Sequence, residues 1–357
     1  MKITFPGATA IALLAAILLT GCQKESNGGG PVSSPPPKVN PPTPVQLAPV
    51  LIGWAALKND VPYLDHTTDG DVTYVRYSQG FTINGIGFVC GGRMYDGFTE
   101  GGYAPELYQY DPTTRNWDEK VGFQGPNPAV LALAINFVIG DNVYMVGTDK
   151  KTYRYNQPTD RWSTVASYPG TNDSALCGFA VNGLGYVGMG CAKTGNTSND
   201  WWQYDPATNH WYAMNAFPGN SRMSAACFTV DGKGYLVGGK HFASGTTGLG
   251  TTVWQYTPGA SGVNGSWTKM KDFPGSARYW ANGAAATIGG VDVGLLIGGV
   301  VGGGLGVGDA WEYFPVSDSW AQLPNNPRSA RVGPGVFVLG KSLFVASYYV
   351  DVMGWSN

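Results

Sequence analysis

Tryptophan recurs along the chain at near-regular distances: Trp54, Trp117, Trp162, Trp211, Trp267 and Trp320, with intervals of 63, 45, 49, 56 and 53 residues. A period of about 50 residues means a chain of like units, each too small to bury its own apolar faces alone. In five of the six an apolar residue follows three positions on (Leu57, Val165, Met214, Met270, Leu323); Trp117 departs, with Lys120 there. Each Trp leads to a proline-containing loop, through Pro62, Pro126, Pro169, Pro218, Pro274 and Pro324. An apolar strand follows and ends in a tight turn: Asn84-Gly85, Gly140-Asp141, Asn182-Gly183, Asp231-Gly232, Gly289-Gly290, Gly340-Lys341. Such pairs supply the positive φ of a two-residue hairpin. The next strand ends at glycine, as in GFVCGG (87–92), GYVGMG (185–190), GYLVGG (234–239) and GLLIGG (294–299). After a loop of variable length comes an aromatic strand and a turn, as in YQYDP (108–112), WQYDP (202–206) and WEYFP (311–315). Four short strands per unit are the anatomy of a propeller blade. The 53 glycines, 12 tryptophans and 20 tyrosines, with only 13% charged residues, suit many short strands joined by glycine turns.

Paired glycines, then an aromatic-x-Tyr, then a Trp resemble the kelch repeat, and the likeness covers nearly all of residues 51–357. The second and sixth units lack the double glycine. The expected fold is all-β: a six-bladed kelch-type β-propeller of four-stranded antiparallel blades over residues 50–357. The glycines are expected to let strands pack near the crowded axis, and Tyr and Trp to fill the space between blades. The sixth unit is short, with 37 residues after Trp320 and no following Trp strand. The stretch Trp54-Ala55-Ala56-Leu57 is expected to complete that blade and close the ring without an open edge.

The first residues read as a targeting segment. Lys2 precedes the apolar run Ala8 to Leu19, which is too short for the roughly 20 residues of a bilayer span. It ends in Leu19-Thr20-Gly21-Cys22, which resembles a bacterial lipobox. The resemblance implies a signal peptide over 1–21, lipidation of Cys22, and a place on the outer membrane or cell surface. The polar residues after Cys22, with Lys24 and Glu25, fit either a surface-export signal or a plain spacer. Residues 22–49 form a tether whose Gly/Pro-rich part, 28–49, holds too little apolar surface to order. The formal net charge of -2 speaks against a nucleic-acid partner.

Four cysteines remain: Cys90, Cys177, Cys191 and Cys227. Their spacing is not that of a metal site. Cys177 and Cys191 flank the turn at Asn182-Gly183, so either a cross-strand bridge or four small buried side chains is open.

The kelch resemblance places ligands on the face built by the loops entering the innermost strands and those after the double glycines. Arg76, Arg222, Arg278 and Arg331 fall at nearly equivalent places there; Val130 and Asp173 stand in the other two units. The resemblance implies arginines lining the mouth of the central channel, where guanidinium forks suit a carboxylate. Stacking between blades and pairing with carboxylates is the alternative. Neighbouring loops offer Arg93, Tyr95, Lys193, Lys240, His241, Tyr279 and Trp280, with Met94, Phe242, Tyr348 and Tyr349 beside them. Exposed aromatics with donors suit sugar faces or peptide side chains. Glu106, Asp200 and Asp309 recur at one offset before the aromatic strands and read as structural.

Copper radical oxidases share the fold, but their two-His, two-Tyr site finds only His66, His210 and His241 here. No cofactor or metal is expected. The leading expectation is a monomeric, non-catalytic binding module for a glycan or protein partner, an anionic one included, touching the bilayer only through its acyl anchor. The alternative is an exported sugar epimerase resembling the sialic acid mutarotases.

Overall fold

The computed structural model describes residues 51–56, 73–96, 99–243, 246–326, 332–346 and 350–355. Cys22, the tether and Arg331 lie outside them. Among the described residues the chain is all-β, with two 3₁₀ turns (Pro128–Leu131 and Gly302–Gly304) as its helical elements.

Among the described residues, six antiparallel sheets have four strands each. Their innermost strands are Gln79–Ile83, Ile135–Ile139, Cys177–Val181, Ala226–Val230, Asn282–Ile288 and Gly335–Leu339. In the first five sheets the strands follow chain order, as in Gln79–Ile83, Ile86–Cys90, Leu107–Asp111 and Asn116–Lys120. The sixth takes three strands from the end of the chain, and its fourth is Leu51–Ala56, paired antiparallel with Val350–Trp355. Trp54 faces Met353 in that ladder. This is the architecture of a β-propeller.

The spacing of the repeat is a strand register. The Tyr of each aromatic strand pairs directly with the following Trp: Tyr110 with Trp117, Tyr155 with Trp162, Tyr204 with Trp211, Tyr256 with Trp267, Tyr313 with Trp320. Their ring centroids lie 4.8–5.3 Å apart, where such pairs stabilise by about 0.5–1.5 kcal/mol beyond burial. An aromatic just ahead of the loop proline covers the Trp edge-on, as Phe217 does for Trp267 and Phe273 for Trp320.

The core is divided among the sheets. Each hydrophobic cluster lies between two consecutive sheets, and one joins Phe337 and Phe344 of the sixth to Val89 and Tyr110 of the first. The glycine that opens each GFVCGG-type strand is part of this packing. A Cβ at Gly87, Gly185, Gly234 or Gly294 would overlap the ring of Phe337, Phe137, Phe179 or Phe228, each from the preceding innermost strand. At the axis the close approaches belong to other glycines: Gly80 lies against the backbone of Val336, and Gly283 against that of Cys227. The double glycines do different work from the axial packing expected of them. Gly238-Gly239 and Gly298-Gly299 all lie at positive φ and turn the chain out of the second strand.

The expected hairpins form. Both central residues are at positive φ in Asn84-Gly85, Asn182-Gly183, Asp231-Gly232 and Gly289-Gly290. All four described cysteines are free. Cys177 does not bridge to Cys191; it packs beside the half-buried Cys227 of the next sheet.

Candidate functional site

The innermost strands line a channel whose two ends each carry residues of all six sheets. The end near the hairpin turns is wide, about 930 Å³. The other end, where the loops enter the innermost strands, narrows to a cavity of about 160 Å³. That is the face the sequence marks out, and its local structure explains the narrowing.

Two residues ahead of the innermost strand, five of the six units place a residue at positive φ: Tyr77, Ala175, Ser224, Trp280 and Gly333, with φ between 52° and 59°. Four of these are not glycine, so a strained conformation recurs at one place from unit to unit. Its return is a belt of backbone hydrogen bonds from unit to unit. The Ser224 N–H donates to the Ala175 carbonyl (2.9 Å), Trp280 N–H to Ser224 (3.0 Å), and Gly333 N–H to Trp280 (3.3 Å). The second unit departs, entering its strand from the 3₁₀ turn Pro128–Leu131.

The belt sets the side chains of the mouth. Gly333 has no side chain, and the rings on either side of it meet: Tyr77 packs edge-on against Trp280 at 5.0 Å. Tyr279 lies against Trp280 at 4.6 Å. Across the cavity stand the small Ala175 and Ser224. Ser224 is buried, and among the described residues its hydroxyl has no partner; the buried indole N–H of Trp280 has none either. An unmet polar atom in a buried place calls for an explanation. Gln79, Asn136 and Asn282 also line the cavity, with Asn136 donating to the Gln79 side-chain oxygen at 2.8 Å. Burial pushes the Tyr77 phenol up to about 12, with Tyr95 adding to the rise and Arg76 and Arg93 opposing it.

The arginine ring expected from the sequence is not assembled by the described residues. Arg222 and Arg278 are buried, 4% and 2% exposed, and their donors point at protein. Arg278 Nη1 and Nη2 hold both oxygens of Asp309 at 2.5 and 2.8 Å, Nη1 also reaches the Gly298 carbonyl, and Nε the Ser276 carbonyl. Arg222 repeats this with Asn220, Gly238 and the Thr252 hydroxyl. Each stacks on the aromatic ahead of its loop proline, Phe217 or Phe273. Their own carbonyls accept from the preceding unit, Arg222 from Gly190 N–H and Arg278 from Gly239 N–H. These arginines tie loop to loop and unit to unit. Buried Asn172 does the same work in the third unit, donating to the carbonyls of Met189 and Gly190.

The remaining sequence candidates sit around the mouth. Arg76 pairs with Arg93 across a three-stranded extension, and its guanidinium lies 4.8 Å over Tyr95. Arg93 donates to the Tyr103 hydroxyl at 2.9 Å. Lys240 Nζ lies 5.5 Å over Tyr279. His241 is paired with Arg222 in a second extension, where burial, then the Arg222 charge, lowers its pKa below the usual histidine range. Asp309 is a tie: burial would raise its carboxyl, but Arg278 and the Trp311 indole outweigh this and hold it low. Asp200 likewise accepts from Thr171 N–H and the Trp202 indole. Among the described residues no three His, Cys, Asp or Glu gather as a metal site. Tyr77, Ser224, Gln79, Asn136 and Asn282 were not singled out from sequence. The belt position holds Tyr, Ala, Ser, Trp and Gly, so no residue type marks it; only counting back from each innermost strand finds it.

No family model matches the chain, and no curated protein does. The chain is similar to a solved structure titled "Structure of YjhT", with 14% identity and a TM-score of 0.61, over 80% of this chain and 98% of that one. At that identity the likeness speaks for the fold.

Proposed function

We propose that this protein is an exported, lipid-anchored binding module that takes a carbohydrate at the entry-loop mouth of a six-bladed propeller. The observation that carries the reading is the mouth itself: an aromatic wall of Tyr77 and Trp280 over a small cavity, with the unpartnered hydroxyl of Ser224 on the other side. Aromatic faces for sugar C–H groups and a few placed polar atoms are what a small polar ring requires. The module is proposed to be monomeric, and to hold the outer membrane or cell surface through acyl chains on Cys22, with the tether as spacer. The ring is proposed to close through Leu51–Ala56, supported by that strand's pairing and by the cluster joining the sixth sheet to the first.

A sugar mutarotase or epimerase at the same mouth would need a proton-transfer group working near neutral pH. A Tyr77 phenol raised to about 12 is a poor one, the Cys227 thiol is pushed up by its hydrogen bond with Cys177 and by burial, and no carboxylate or histidine is among the described cavity residues. Binding without turnover is therefore the favoured reading. A glycan array probed with the protein tests it. Retention on one group of glycans, lost in Trp280→Ala, supports the reading. Retention that Trp280→Ala leaves intact places the site elsewhere. Alkyne fatty-acid labelling lost in Cys22→Ala tests the anchor, and labelling that persists removes it.

A further inference from the structure

We infer that the mouth cavity is built for one uncharged sugar ring and discriminates against the corresponding sugar acid. The inference rests on the carbohydrate reading above and adds the chemical class of the ligand.

Size is the first ground. A cavity of about 150 Å³ takes a molecule the size of benzene, and this one, about 160 Å³ and open at the mouth, has room for no more than one sugar ring seated at its entrance. It suits one pyranose residue, terminal or free, better than an extended chain.

Charge is the second. The described residues lining the cavity carry no carboxylate, ammonium, guanidinium or imidazole: they are amides, hydroxyls, an indole, a phenol, the Cys227 thiol and apolar side chains. The described cations of the region are engaged outside it. Arg222 and Arg278 are buried struts. Arg76 and Lys240 lie over the rings of Tyr95 and Tyr279, and Arg93 holds Tyr103. A carboxylate entering the cavity would lose hydration without gaining a salt bridge.

The polar atoms supply the third ground. Sugar hydroxyls both donate and accept. Gln79, Asn136 and Asn282 offer amide donors and acceptors, and the Ser224 hydroxyl, buried and without a partner among the described residues, is re-aimed by one step about its Cα–Cβ bond. The Tyr77–Trp280 wall covers an apolar ring face.

Calorimetric titration of the full protein with matched pairs tests this. Glucose, galactose and mannose are compared with the hexuronates that differ only in a carboxylate at C6, and sialic acid is added. Arg331→Ala is titrated alongside. The expected result is that at least one neutral hexose binds, with its uronate weaker by about tenfold or more. Trp280→Ala should weaken the hexose by about thirtyfold. Ser224→Ala, which removes one hydroxyl and leaves the belt's backbone bonds in place, should weaken it about tenfold with an unchanged melting temperature. Arg331→Ala should leave hexose affinity unchanged. A uronate or sialic acid bound more tightly than every hexose, with that preference lost in Arg331→Ala, overturns the neutral-ring inference and leaves the carbohydrate reading standing. Sugar binding that neither Trp280→Ala nor Ser224→Ala changes, or no binding of any sugar at millimolar concentration, overturns both.

Discussion

Replacing Arg278 by alanine separates a structural arginine from a ligand-binding one. The guanidinium is 2% exposed and its partner Asp309 16%. Its removal leaves the Asp309 carboxylate with the Trp311 indole as its remaining charge-stabilising side chain (2.8 Å), and takes the side-chain donor from the Gly298 and Ser276 carbonyls. Breaking a buried pair costs about 3–5 kcal/mol. Asp309 keeps some solvent, so the lower end, about 3 kcal/mol, applies here. At about 2 °C per kcal/mol for a large domain, the melting temperature should fall by roughly 6 °C. Arg222→Ala strands no carboxylate, because Thr252 stands where Asp309 does, and should cost less, about 2 kcal/mol. The pH dependence has a definite sign. Arg278 helps hold the Asp309 pKa below its ordinary value, so the carboxylate's contribution is complete above the unfolded pKa of about 3.9 and fades as pH falls through the folded value. The gap between wild type and Arg278→Ala should be full at pH 7 and shrink below about pH 4. Urea unfolding followed by tryptophan fluorescence at several pH values reads both quantities. An Arg278→Ala protein with unchanged midpoint and a lost ligand would refute the strut assignment.

Other expectations follow from the packing. Gly234→Ala drives a methyl into the Phe179 ring and should cost about 1–3 kcal/mol. Gly302→Ala, with nothing near its Cβ, should be neutral, and scanning calorimetry showing equal effects would remove the claim that these glycines seat the neighbouring sheet. Mild oxidation should yield a Cys177–Cys227 peptide, since these thiols pack together between sheets; a Cys177–Cys191 peptide would contradict the packing. Deleting 51–56 should expose two strand edges and lower the melting temperature sharply, while trimming 28–45 should not; equal effects would show that the first strand is no clasp.

The repeat made the fold legible because a Tyr–Trp cross-strand register and an opening glycine under a Phe ring recur at fixed positions. Asn182-Gly183 and its equivalents announced their hairpins for the same reason: one conformation there admits few residue types. The mouth was legible in place and not in chemistry. Tyr279 and Trp280 stood out as loop aromatics, but Tyr77 and Ser224 carry no local signal, since their place depends on a backbone belt that five residue types satisfy. Arg222 and Arg278 showed a true periodicity whose meaning sequence could not fix. A guanidinium fork grips a ligand carboxylate or the carbonyls of Gly238 and Gly298 equally well, and only burial decides between them.

The claim that the mouth is the binding site is tested most directly by the indole N–H spectrum of the protein's 12 tryptophans. Trp280 is identified as the resonance missing from Trp280→Phe, and its N–H lacks a partner among the described residues. On titration with a sugar retained on the array, that resonance should shift, while those of Trp162 and Trp211, held by the carbonyls of Val121 and Ala166 in the outer strands, stay fixed. A bound sugar that leaves the Trp280 resonance unmoved, or moves only the outer tryptophans, would contradict the account.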